Sequence, residues 1–152
     1  MTDNSAGALA GADFMVVEDN LLISLEIEQT LTGLGGRVLS CSSVPEGLLA
    51  IGQRQFDLML TDYFLDGADC LPLIEAAAAQ DIPYALLTGY SIPDDHHLLA
   101  NAKIISKPFK QQDIIDYALS IVETARANGE NSSKMMIAPN AGDERLNDVE
   151  PC

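Results

Sequence analysis

Short, continuous apolar runs alternate along the chain with segments whose apolar residues recur at helical spacing. Phe14-Met15-Val16-Val17, Leu58-Met59-Leu60 and Tyr84-Ala85-Leu86-Leu87 have the length and composition of strands buried on both faces. After the first run, Asn20 is placed to cap a helix with Ile23, Ile27, Leu31 and Leu34 on one face, and Gly35-Gly36 stops it. Residues 37–41 read as a second strand, and Ser43 caps a helix opening at Val44-Pro45-Glu46, where proline suits the first turn. The third strand covers 56–61, and a helix from near Asp69 includes the alanine run at 76–79. Pro83 introduces the fourth strand. A weak helix over 94–101 and a short strand over 103–106 follow. The last helix, 110–127, carries Ile114, Ala118, Ile121 and Ala125 on one face.

Five strands alternating with helices through short connections imply right-handed crossovers and a parallel sheet covered on both sides. The expected fold class is α/β, a doubly wound five-stranded parallel sheet over residues 12–127. Residues 1–11, small and polar, are expected to form a flexible N-terminal tail. Residues 128–152, rich in Gly, Asn, Ser, Pro and charge, are expected to form a disordered C-terminal one. Within that tail, Met135-Met136-Ile137 is a short apolar patch suited to docking.

Charge and cysteine content narrow the function classes. A formal net charge of −15 opposes binding to a phosphate backbone, so no nucleic-acid partner is expected. No apolar stretch approaches the roughly 20 residues of a membrane span, and the first residues lack the basic start of a secretory signal, so a soluble, cytoplasmic protein is expected. Cys41, Cys70 and Cys152 form no C-x-x-C pair and read as reduced thiols.

Chemistry gathers at the ends of the apolar runs. Glu18 and Asp19 close the first, and Asp62 follows Leu58-Met59-Leu60-Thr61. On neighbouring parallel strands these acids converge at the carboxyl edge, where open α/β sheets bind their ligands. Three carboxylates in a small volume repel one another unless a cation sits among them. A hard divalent ion, Mg²⁺, is the expected occupant. Thr88 and Lys107 end the fourth and fifth strands, adding a hydroxyl and an ammonium suited to a phosphoryl group.

Taken in order, Glu18-Asp19, Asp62, Thr88 and Lys107-Pro108-Phe109 resemble the receiver domain of two-component response regulators, with the run from Phe56 to Asp62 matching the approach to the phosphorylated aspartate. The resemblance covers roughly residues 12–127 and implies a CheY-like, flavodoxin-like sheet of order 2-1-3-4-5. It further implies Asp62 as phosphoacceptor and Glu18, Asp19, Asp62 and the Phe64 backbone carbonyl as the Mg²⁺ site. Thr88 and Lys107 then assist at the phosphoryl oxygens. The partners implied are a histidine kinase or phosphotransfer protein and a downstream protein; the chain is a signalling phosphoacceptor and not an enzyme. With no output domain after 127, the signal is expected to pass through a partner, or the chain to serve as a phosphate sink.

Two departures from the common receiver pattern stand out. Ile104 occupies the position, three before the lysine, where many receivers carry a switching Tyr or Phe. The stretch Pro83 to Tyr90 looks like the P-F-x-F-A-T-G-[GY] signature of a smaller class, often stand-alone and paired with kinases of the HWE or related type. Its Gly89 suggests that phosphorylation reorders residues 88–102, and Phe64 and Tyr90 are placed to shield an acyl phosphate from water. The Lys107-Pro108 bond is a candidate cis peptide. Three alternatives are less well served by the residues. A receiver-like module that is never phosphorylated is favoured by Ile104. A Mg²⁺-dependent phosphohydrolase of the haloacid-dehalogenase type would want an acid where Phe64 stands. A flavin carrier would want a glycine- and hydroxyl-rich loop in place of Glu18-Asp19-Asn20.

Overall fold

A computed structural model of the chain describes residues 7–89, 92, 96–100 and 102–137, with side chains described through residue 128. Its elements are β1 (Asp13–Val17), α1 (Leu21–Thr32), β2 (Arg37–Cys41), α2 (Val44–Gln53) and β3 (Leu58–Asp62), then the short β4 (Phe64–Leu65) and β5 (Ala68–Asp69). These are followed by α3 (Leu71–Ala79), β6 (Tyr84–Thr88), α4 (His97–Ala100), β7 (Lys103–Ser106) and α5 (Gln111–Ile137). The main sheet is parallel, with strand order β2-β1-β3-β6-β7, which is the expected 2-1-3-4-5 arrangement. The fold is the doubly wound, flavodoxin-like α/β class.

Burial explains why the central strands are unbroken apolar runs. Phe14, Met15, Val16 and Val17 of β1 are fully buried, as are Leu86 and Leu87 of β6. Met15, Val17, Met59 and Leu86 join one core with Ile51 of α2 and Leu73, Ile74 and Ala77 of α3. The alternate residues Phe14, Val16, Leu58 and Leu60 point to the opposite face. Each such side chain contributes about 1.5–3 kcal/mol of hydrophobic stabilisation. That burial fixes the strand register, and the register positions whatever follows each strand.

Helix starts follow the expected chemistry. Asn20 Oδ1 accepts from the N–H groups of Leu22 and Ile23 at 3.0 and 3.3 Å. Ser43 Oγ accepts from Glu46 N–H at 3.3 Å, and Pro45 occupies the first turn of α2. Among the described residues, α4 is the single turn His97–Ala100.

The two ends depart from expectation. Residues 7–11, assigned to the flexible tail by composition, are docked: Leu9 is fully buried and its N–H donates to the Leu34 carbonyl at 2.8 Å. One leucine among small residues was too little pattern to register as core. The chain divides into two compact units, 1–121 and 122–152, and the second is described only as helix. There α5 continues through Ile137, past the predicted end at 127, so the segment expected to be disordered from 128 is helical at its start. Gly129 costs a helix about 1 kcal/mol without ending it, and elongation of an existing helix is far easier than nucleation. No helix among the described residues is long and apolar enough to cross a membrane.

The two described cysteines are buried free thiols. Burial, helped by the charge of Glu46, pushes the Cys41 thiol up to about 11. Burial, helped by Asp69, pushes Cys70 up to about 12. Neither therefore exposes a thiolate at neutral pH. In the native protein at pH 8 both are expected to resist iodoacetamide under conditions that alkylate them fully in urea, as read by peptide mass. The linkage has a definite sign: unfolded thiols ionise near 9.0 and folded ones later. Stability therefore falls as pH rises above 9 towards the folded values, and a Cys70→Ala variant loses part of that slope in urea titrations.

Candidate functional site

Register brings the acids together. In the parallel ladder Val17 lies opposite Thr61, so Glu18-Asp19 and Asp62 leave adjacent strands at the same edge. One carboxylate oxygen from each of Glu18, Asp19 and Asp62 lies within 4.8 Å of the others. On the far side, Thr88 pairs with Ser106 and the Lys107 N–H donates to the Thr88 carbonyl at 2.8 Å, which carries the lysine to this edge.

Lys107 is the hub of the cluster. Its Nζ donates to Glu18 Oε1 at 2.8 Å and to Asp62 Oδ2 at 3.1 Å. Glu18, whose side chain is 1% exposed, also accepts from the Asn20 N–H through Oε2 at 3.1 Å. Burial raises the Glu18 carboxyl above its ordinary range, against the lowering effect of the Lys107 hydrogen bond. For Lys107, burial works against the charge, but the hydrogen bonds to Glu18 and Asp62 outweigh it and the ammonium is held above its ordinary value. Asp19 is exposed and accepts from the Asp66 N–H at 3.0 Å. Together with Ile23, Phe64, Gly67 and Gly89, these groups line an open cleft of about 560 Å³.

Three carboxylates against one ammonium leave net negative charge in the cleft when all are ionised. All the donors are hard oxygens, the set that magnesium prefers. The residues present therefore fit a divalent cation.

No family model and no curated protein matches the chain. Solved structures do. The chain is similar to a CheY-like receiver domain protein from Methanospirillum hungatei JF-1, with 22% identity over 76% of this chain and 98% of that one, at a TM-score of 0.67. The chemotaxis response regulator CheY4 of Vibrio cholerae matches at 20% identity over 72% of this chain and 98% of that one, with a TM-score of 0.63. The fold is that of CheY-like receiver domains. A third neighbour with this receiver fold comes from a sensor histidine kinase of Pseudomonas aeruginosa PAO1 (24% identity, 75% of this chain and 99% of that one, TM-score 0.66), and it has a magnesium ion coordinated in its active site cleft.

Within the receiver fold, each expected site residue can be placed. Glu18, Asp19, Asp62 and Lys107 meet in one cleft. Thr88 closes β6 at the same edge as a buried residue, with Gly89 after it lining the cleft. Phe64 begins β4, half exposed, with its ring edge-on to Tyr63 at 4.9 Å. The Lys107-Pro108 peptide is cis. Ile104, where receivers commonly place an aromatic, is partly exposed on the edge strand β7 and lines a groove with Pro108 and Tyr117. Tyr90 and much of the 88–102 segment lie outside the described residues, as do the shielding and reordering expected of them.

Two features escaped the sequence reading. The first is Asp66-Gly67, which closes the β4–β5 hairpin and supplies the N–H that meets Asp19. The Asp-Gly dipeptide was the available signal, since it is a strong hairpin former. The second is the Glu18–Lys107 pair, 89 residues apart, which no local pattern announces.

Proposed function

We propose that this chain is a response-regulator receiver that accepts a phosphoryl group on Asp62 from a histidine kinase or phosphotransfer protein. The observation that carries the reading is a single ammonium, Lys107, shared between a buried Glu18 and the cleft-facing Asp62 within a cluster of three acids. Glu18, Asp19, Asp62 and the Phe64 carbonyl would hold Mg²⁺, which when bound offsets the negative field that otherwise repels a phosphate donor. Asp62 supplies the attacking carboxylate oxygen. A bond forms from that oxygen to phosphorus, the bond from phosphorus to the donor breaks, and the donor leaves with the electron pair. Lys107 then turns from the Asp62 carboxylate to the phosphoryl oxygens, and the Thr88 hydroxyl donates to the same group.

On this reading the chain is a signalling phosphoacceptor, with residues 12–127 as the receiver and its output through a protein partner or as a phosphate sink. The stretch Pro83 to Tyr90 partly resembles the P-F-x-F-A-T-G-[GY] class, which is often paired with kinases of the HWE or related type, and the reduced thiols suit the cytoplasm. The test is incubation with acetyl phosphate and Mg²⁺ followed by intact mass measurement. The mass should rise by one phosphoryl group, and EDTA should prevent it. No gain at any Mg²⁺ concentration would point instead to the unphosphorylated interaction module that Ile104 favours.

A further inference from the structure

The hairpin after β3 reaches back to the loop after β1. Asp66 and Gly67 connect Leu65 to Ala68, which face each other in the antiparallel ladder. Their φ angles are 53° and 83°, the two positive values that a type I′ hairpin turn requires. From this turn the Asp66 N–H meets Asp19 Oδ2 at 3.0 Å across 47 residues of sequence. Among the described residues, Lys107 pairs with Glu18 and Asp62, while the donor that meets Asp19 is this backbone amide.

We infer that the Asp66-Gly67 turn is a positioning clamp on Asp19, fixing one carboxylate oxygen so that the acid cluster presents a single arrangement to a divalent cation. The inference rests on the Mg²⁺-dependent reading above. A backbone N–H suits the task better than a basic side chain, because it orients a carboxylate without neutralising it. The excess negative charge that attracts the cation therefore survives. An exposed aspartate repelled by Glu18 and Asp62 otherwise samples rotamers directed away from them, and binding must then restrict it; a fixed carboxylate avoids that loss. Both turn residues line the cleft, yet the Asp66 carboxylate has no part in the clamp.

Gly67 makes the idea testable. A Cβ added there meets no heavy atom within 4 Å, so substitution acts through backbone conformation alone. Asparagine tolerates the left-handed region and valine does not. The experiment is a Mg²⁺ titration of the full chain without phosphodonor, followed through backbone amide resonances. Gly67→Asn is expected to bind within about twofold of wild type, because it keeps the positive φ. Gly67→Val is expected to bind about tenfold more weakly, the size of one charge-assisted hydrogen bond, with its Asp66 amide shifted to a solvent-exposed position. Gly67→Ala, milder, serves if the valine variant does not fold. Asp66→Asn keeps the N–H and should retain the Asp66 amide signature and most of the affinity. Equal affinity in Gly67→Val and wild type overturns the clamp and leaves the cation site standing. A loss in Asp66→Asn as large as in Gly67→Val also overturns it, by assigning the effect to charge. A wild type that never saturates with Mg²⁺ overturns both this inference and the reading beneath it.

Discussion

Asp62→Asn is expected to abolish phosphoryl uptake: incubated with acetyl phosphate and Mg²⁺, the variant should show no added mass where the wild type gains one phosphoryl group. Asparagine has nearly the same shape and can still accept from Lys107, so the cleft should keep its form. What it lacks is an anionic oxygen to attack phosphorus, and loss of a nucleophile costs rates of order a thousandfold or more. A control isolates the chemistry from general acidity. Asp57 lies at the opposite edge of the sheet, where its carboxylate accepts the Asp13 N–H at 2.7 Å, and Asp57→Asn should be labelled as wild type is. Persistent labelling of Asp62→Asn, mapped by peptide mass to another residue, would remove Asp62 from the reaction. Asp19→Asn separates the roles further. It leaves the nucleophile intact and should require more Mg²⁺ for the same labelling rate.

The fold was legible where one physical constraint dominates. Strands buried on both faces must be apolar at every position, so β1, β3 and β6 stand out as uninterrupted runs. Once these are set side by side in parallel, the acids that follow them have nowhere to go but one edge. That is why Glu18, Asp19 and Asp62 group together from the sequence pattern alone. Legibility ended where structure depends on few residues or on distant ones. The two-residue strands β4 and β5 are too short to show a period, and Leu9 is a single buried leucine in a stretch of alanine and glycine. The helix continuing through Ile137 reflects a balance of propensities that composition alone resolved the other way. Lys107 was expected to assist at the phosphoryl oxygens, and its engagement by Glu18 and Asp62 was not legible beforehand. Whether an ammonium at a sheet edge faces solvent or bridges a buried acid and a cleft-facing one depends on packing between elements far apart in the chain.

That engagement leads to the second large effect. Lys107→Met should destabilise the Mg²⁺-free protein by about 3 kcal/mol at pH 7, because it leaves Glu18 as an uncompensated buried charge. The Glu18 side chain is 1% exposed and that of Lys107 21%, so solvent cannot substitute for the ammonium as it would at an open surface. Lost methylene packing is largely controlled, since methionine is similar in length and apolar. A double-mutant cycle distinguishes charge from packing. In a Glu18→Gln background the same lysine substitution should cost much less, because the buried acid is neutral before its partner is taken away. Urea denaturation of the four proteins measures the coupling, with the Lys107→Met penalty expected to shrink by 1 kcal/mol or more when Glu18 is neutral. If the penalty is the same in both backgrounds, Lys107 stabilises the fold by packing, and its bridge to Glu18 contributes nothing measurable. If the coupling appears, Mg²⁺ should also narrow the gap between Lys107→Met and wild type, since a cation held by Glu18, Asp19 and Asp62 supplies positive charge that the variant has lost.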